Sequence, residues 1–234
     1  MLKYTDSHCH LSQTENFSEI FARAQHAGIT NCVLNAVTES EWGQVAQISR
    51  DNKNVCGCIG IHPFYVETAG PAWDTDLISI LNDNPNLMIG EVGLDKTRDN
   101  FATQERIFIR ALEIAIAHHR TINIHCVHAW DIMLNILKSY GDTLPTIVAH
   151  AFDGTENVLN FNADIYFSYS PNVANPNYKR VAASVARVPK NKILVESDST
   201  TLLPTTTAAN GVLALRDDIS PNDIYNNAMG VFFK

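Results

Sequence analysis

Apolar and β-branched residues collect along the chain in eight short runs, and the longer stretches between them place apolar residues at helical spacing. The runs predict strands at residues 4–8, 31–36, 55–61, 87–92, 121–126, 145–150, 164–169 and 192–197. Phe108, Ala111, Leu112 and Ala115 fall at i, i+3, i+4 and i+7, as do Met133, Ile136, Leu137 and Tyr140, so each set lines one face of an α-helix. A last helix running to the C-terminus is announced by Ser220 as N-cap, Pro221 at the first helical position and Asp223 in the first turn. Strands alternating with helices leave an open doubly wound sheet or a closed barrel, and the count of eight selects an α/β TIM barrel, (β/α)8. Residues 200–210 (TTLLPTTTAAN) read as a polar surface loop. With no repeat, low-complexity tract or linker, residues 1–234 are expected to form one domain.

Composition narrows the partners more than the fold. The chain has 17 Lys plus Arg against 25 Asp plus Glu, a formal charge of −8, which argues against a broad basic footprint for nucleic acid but leaves room for a local phosphate site. The opening residues lack the basic-then-apolar layout of a secretion signal, and no apolar run approaches the roughly 18 residues of a membrane span. Five cysteines are an odd number in a chain of 234 residues, too long to need disulfide staples; reduced thiols and a cytoplasmic location follow as expectations. All five are assigned to packing, and no obligate protein partner is evident.

The candidate chemistry lies at the C-terminal ends of the predicted strands, which in a barrel open onto one face. His8 and His10 end the first strand, His62 follows the third, Glu91 ends the fourth, His125 the fifth and His150 the sixth, and Asp198 follows the eighth. The i, i+2 spacing of His8 and His10 puts both imidazoles on one side of an extended strand, within reach of one metal at about 2 Å. Glu91, between Gly90 and Gly93, has two carboxylate oxygens and is read as a ligand bridging two cations. Asp198 suits a metal ligand that also serves as general base, with Glu196 as a partner behind the ligands. His62 is placed to touch a substrate phosphate or carbonyl. His26, His118 and His119 are read as solvated, and His128 as either pocket or surface.

The motifs resemble the TatD family of metal-dependent deoxyribonucleases, within the amidohydrolase superfamily. They are DSHCHL at residues 6–11, GIHP at 60–63, GEVGLD at 90–95, Gln104 with Phe108, IH at 124–125, HAFDG at 150–154, VESD at 195–198 and NAMGVF at 227–232. The resemblance implies two divalent cations, Mg, Mn or Zn. One would be held by His8, His10, Glu91 and Asp198, the other by Glu91, His125 and His150, with His62 near the substrate. It also shows departures: Val127 stands where the family carries an Arg, Lys96 where it carries a Tyr, and residues 199–201 lack the expected proline.

Such a site predicts hydrolysis by a metal-activated water, with Asp198, Glu91 and His62 as the catalytic residues. Three readings stay open. The first is a phosphodiesterase acting on short or single-stranded DNA, with Lys96, Arg98, Lys179 and Arg180 as the nearby cations. The second is a hydrolase of a C–N or ester bond in a small molecule, and the third a metal-binding protein without turnover.

Overall fold

The computed structural model describes residues 2–11 and 16–233. Among these, eight strands alternate with helices: β1 Tyr4–Cys9, β2 Ile29–Asn35, β3 Val55–Ile59, β4 Met88–Asp95, β5 Ile122–Val127, β6 Ile147–Ala149, β7 Ile165–Tyr169 and β8 Ile193–Val195. They join one sheet in chain order, and the registers of β1 with β2, of β3 through β6, and of β7 with β8 are parallel. The intervening helices are α1 Phe17–His26, α2 Glu39–Asp51, α3 Trp73–Asp83, α4 Phe101–Ala117, α5 Trp130–Tyr140, α6 Glu156–Leu159 and α7 Lys179–Val185. The chain ends with α8 Pro204–Leu215 and α9 Pro221–Phe232. This is the (β/α)8 TIM-barrel fold.

The chain divides into two compact units. One comprises Met1–Leu34, His150–Asn160 and Tyr166–Lys234, and the other Asn35–Ala149 and Phe161–Ile165. The second unit holds β3 to β6. Its core is apolar: Phe108, Ala111, Leu112 and Ala115 of α4 are fully buried, as are Ile59, Ile89, Ile122 and Ile124 of the strands. Burying each large side chain contributes about 1.5–3 kcal/mol. The first unit holds β8, β1 and nearly all of β2 and β7, and its core is less uniform. All six residues of β1 are buried, yet Thr5, Asp6, Ser7 and His8 are polar. Ser7 Oγ answers by donating to the Val195 carbonyl at 2.9 Å and pairing with Ser168 Oγ at 2.6 Å.

Two segments differ from the pattern in the sequence. Residues 200–210 are not a loop throughout, because α8 begins at Pro204, with proline at its first turn where a missing N–H costs nothing. Thr205, Ala208, Ala209 and Val212 stand at i, i+3, i+4 and i+7 and are all buried; threonine-rich composition conceals that helical face. β4 runs on to Asp95, so Glu91 lies within the strand and not at its end. Ile89 pairs with Ile122 and Val92 with Ile124, three residues of β4 against two of β5, which is a bulge. Gly93, at φ 157°, accommodates that path, since a Cβ there would overlap the His125 carbonyl.

Candidate metal-binding residues

In the first unit the C-terminal end of β1 meets the segment that follows β8. The Asp198 amide donates to the His8 carbonyl at 3.0 Å, and the His10 amide to the Ser199 carbonyl at 2.9 Å. His8 is fully buried and its Nε2 lies 3.2 Å from His10 Nε2, a separation at which two ring nitrogens share one proton or one cation. His10 Nε2 lies 3.5 Å from Asp198 Oδ1. Asp198 adopts a left-handed backbone, φ 47°, a conformation that aspartate tolerates better than most residues. Its carboxyl stays partly open to solvent.

His150 stacks on His8 with ring centroids 3.9 Å apart. Its Nδ1 faces Glu196 Oε1 at 3.2 Å, and the Ala151 amide donates to the same oxygen at 2.7 Å. A carboxylate on Nδ1 fixes the tautomer and leaves Nε2 as the electron-pair donor. Beneath the set, buried Asp6 accepts from the His8 amide at 3.2 Å, the Ser197 amide at 3.0 Å and the Thr205 hydroxyl at 2.7 Å. Burial pushes the Asp6 carboxyl up to about 7 against those bonds, which favour the anion.

In the second unit Glu91 is almost wholly buried at the β4 bulge. Its Oε1 lies 2.7 Å from His125 Nδ1 and 3.3 Å from His62 Nε2. His62 Nδ1 accepts from the Phe64 amide at 3.1 Å, so its proton is on Nε2. His125 Nε2 faces Asp95 Oδ2 at 3.2 Å. Burial works to raise the Asp95 carboxyl, but hydrogen bonds from His125 and from the Thr97 hydroxyl and amide outweigh it and hold it well below the usual range. Gln104 pins that strand end, accepting from the Asp95 amide at 2.7 Å and donating to its carbonyl at 3.1 Å.

These residues fit divalent cations. His8, His10 and Asp198 offer ligand atoms within 4.8 Å of one another, as do His150, Glu196 and Asp198, and, in the second unit, His62, Glu91 and His125. A neutral imidazole donates one proton, yet both nitrogens of His125 face carboxylates; a cation held by His125 and Glu91 would resolve the conflict. Glu196 Oε2 is buried without a hydrogen-bond partner among the described residues.

The profile of the family described as TatD related DNase matches residues 5–216. The chain belongs to that family. It is 29% identical over 192 residues to the 3'-5' ssDNA/RNA exonuclease TatD of Salmonella typhimurium, covering 80% of this chain and 74% of the relative. It is also 29% identical over 221 residues to deoxyribonuclease TATDN3 of Homo sapiens, covering 85% and 78%. The crystal structure of YJJV, a TatD homologue from Escherichia coli, superposes with a TM-score of 0.88 at 20% identity, covering 99% of this chain and 98% of that one. This TatD-family chain is therefore a hydrolase on a TIM barrel.

Of the remaining candidates, His26, His128 and His119 are exposed and His118 caps α4. Lys96 is paired with Asp131 at 2.9 Å and Arg180 with Asp153 at 2.6 Å, while Arg98 lies over the Phe64 ring. Asp95 and Asp6 were not singled out by strand-end position. A signal existed for Asp95: residues 91, 93 and 95 share the parity of one strand face. None of the described helices is long and apolar enough to cross a membrane.

Proposed function

We propose that this chain is a metal-dependent phosphodiesterase that cleaves single-stranded nucleic acid, holding one divalent cation on His8, His10 and Asp198 and another on Glu91 and His125. The observation that carries the reading is that every donor assigned by resemblance is present and lies, within its own unit, in a set whose ligand atoms fall within 4.8 Å of one another. The activities named for the Salmonella and human relatives support the substrate class. Mixed imidazole and carboxylate donors suit Mn, and accept Zn or Mg. Buried thiols at Cys9, Cys32, Cys56 and Cys58 agree with a reducing, cytoplasmic setting.

A divalent cation, when bound, supplies Lewis-acid polarisation of a phosphoryl oxygen and lowers the pKa of water towards neutrality. The chain's own groups do the rest. Asp198, with its side chain 39% exposed, takes the proton of the attacking water. His62, protonated on Nε2, donates to a non-bridging phosphate oxygen. Glu196 and Asp95 keep the rings of His150 and His125 in the tautomers that present a lone pair.

The test is hydrolysis of a short single-stranded oligonucleotide and of bis-p-nitrophenyl phosphate with Mg, Mn or Zn. Asp198→Asn and Glu91→Gln should each lower kcat by about 100-fold or more. A wild-type chain that binds metal but turns over neither substrate overturns the phosphodiesterase reading in favour of a C–N or ester hydrolase. Val127, in place of the family's arginine, is the residue that would favour that outcome.

A further inference from the structure

We propose that Phe64 and Arg98 form a base-stacking subsite for the terminal nucleotide of the substrate, an inference that rests on the phosphodiesterase reading. Phe64 is a large aromatic left 43% exposed. A single exposed apolar side chain means little; the surroundings of this one mean more. Its ring meets His62 edge to face, with centroids 4.7 Å apart at 87°, and lies 6.4 Å from the ring of His125. It therefore borders two candidate reactive groups while presenting apolar surface to solvent.

Its position is set by the same groups. Pro63 opens a 3-10 turn, Pro63–Thr68, for which His62 is the N-cap, and the bond from the Phe64 amide to His62 Nδ1 ties the ring's backbone to the imidazole. Arg98 comes from the segment just beyond β4, its amide donating to the Asp95 carbonyl at 3.3 Å. Its guanidinium carbon lies 3.8 Å from the Phe64 ring centroid. Among the described residues the Arg98 side chain makes no hydrogen bond or ion pair, in contrast to Lys96 and Arg180, so its donors remain open to the edge of a base stacked beside it. An aromatic face stacks any base, which gives affinity without sequence preference, and a guanidinium over the ring adds cation–π attraction. Tyr65, 39% exposed with its ring 6.1 Å from His62, extends the same surface.

The experiment compares a single-stranded oligonucleotide with the same oligonucleotide made abasic at both terminal nucleotides, in wild type, Phe64→Leu, Phe64→Trp and Arg98→Ala, with Mn present. Wild type should prefer the intact substrate. Phe64→Leu should raise KM about tenfold on the intact substrate with kcat little changed, leave the abasic substrate unaffected, and so bring the two together. Phe64→Trp should keep the preference. Arg98→Ala, at an exposed residue, should weaken the intact substrate alone even if Phe64→Leu fails to fold. The subsite is overturned if wild type cleaves both substrates equally, or if folded Phe64→Leu or Arg98→Ala keeps the full preference. Cleavage of neither substrate by wild type overturns the phosphodiesterase reading itself, and the subsite with it.

Discussion

Asp95 and Glu196 each face an imidazole, and that placement decides what the histidines can offer. His125 has carboxylates on both nitrogens, and the Asp95 carboxylate, held ionised by Thr97 and His125, claims the Nε2 proton. An asparagine there keeps the shape and loses the charge. Asp95→Asn should weaken Mn binding by about 10- to 100-fold in titration calorimetry on protein still folded at the assay temperature, and should also lower the unfolding midpoint, because the carboxyl is held below its usual range in the folded chain. Unaltered affinity would sink the positioning role. The placement of His8, His10, His125 and His150 at or near the C-terminal ends of β1, β5 and β6 was legible in the sequence, because imidazoles recurring at strand ends are an uncommon coincidence. Glu196 was read as a partner behind the ligands, and the parity of residues 91, 93 and 95 pointed to Asp95; Asp6 was harder to see, because it acts by accepting from backbone amides and from a hydroxyl 199 positions away, and no spacing encodes that.

Among the elements, α8 and α9 show which local signals survive in a sequence. The start of α9 was readable from three residues because a capping box is entirely local: Ser220 and Asp223 satisfy each other's backbone amides. The start of α8 was not, because Thr205 is buried to reach Asp6, a residue 199 positions away. Thr205→Val keeps the volume and leaves Asp6 one donor short, so it should cost about 1–3 kcal/mol in urea unfolding, whereas Thr205→Ser should recover most of it. Ser220→Ala should cost about 1 kcal/mol with no effect on turnover. A Thr205→Val protein as stable as wild type would mean that α8 docks by its alanines alone. The β4 bulge was illegible for a related reason: Gly90 and Gly93 signal close approach, but only the pairing with β5 shows that three residues answer two.

At the scale of the whole molecule, eight strands in chain order were the most legible feature, since even the three-residue β6 and β8 are short apolar runs, IVA and ILV, that stand out from their flanks. A stabilisation of that fold by metal is not written in any period and is an expectation argued from charge. The chain carries a net charge of −8, and its donor sets bring the carboxylates of Asp198, Glu91 and Asp95 among buried histidines. Cations that bind the folded chain but not the unfolded one stabilise it by mass action, about 2.7 kcal/mol for one site at 100 times its Kd. In a chain of this length that raises Tm by roughly 5–10 °C. Adding Mn to metal-stripped protein should produce such a shift and EDTA should reverse it. Asp198→Asn and Glu91→Gln should each remove part of the shift and the double variant nearly all, because each carboxylate serves a donor set in a different unit. A Tm indifferent to both Mn and EDTA would refute the metal-binding assignment irrespective of substrate, which no activity assay can do alone.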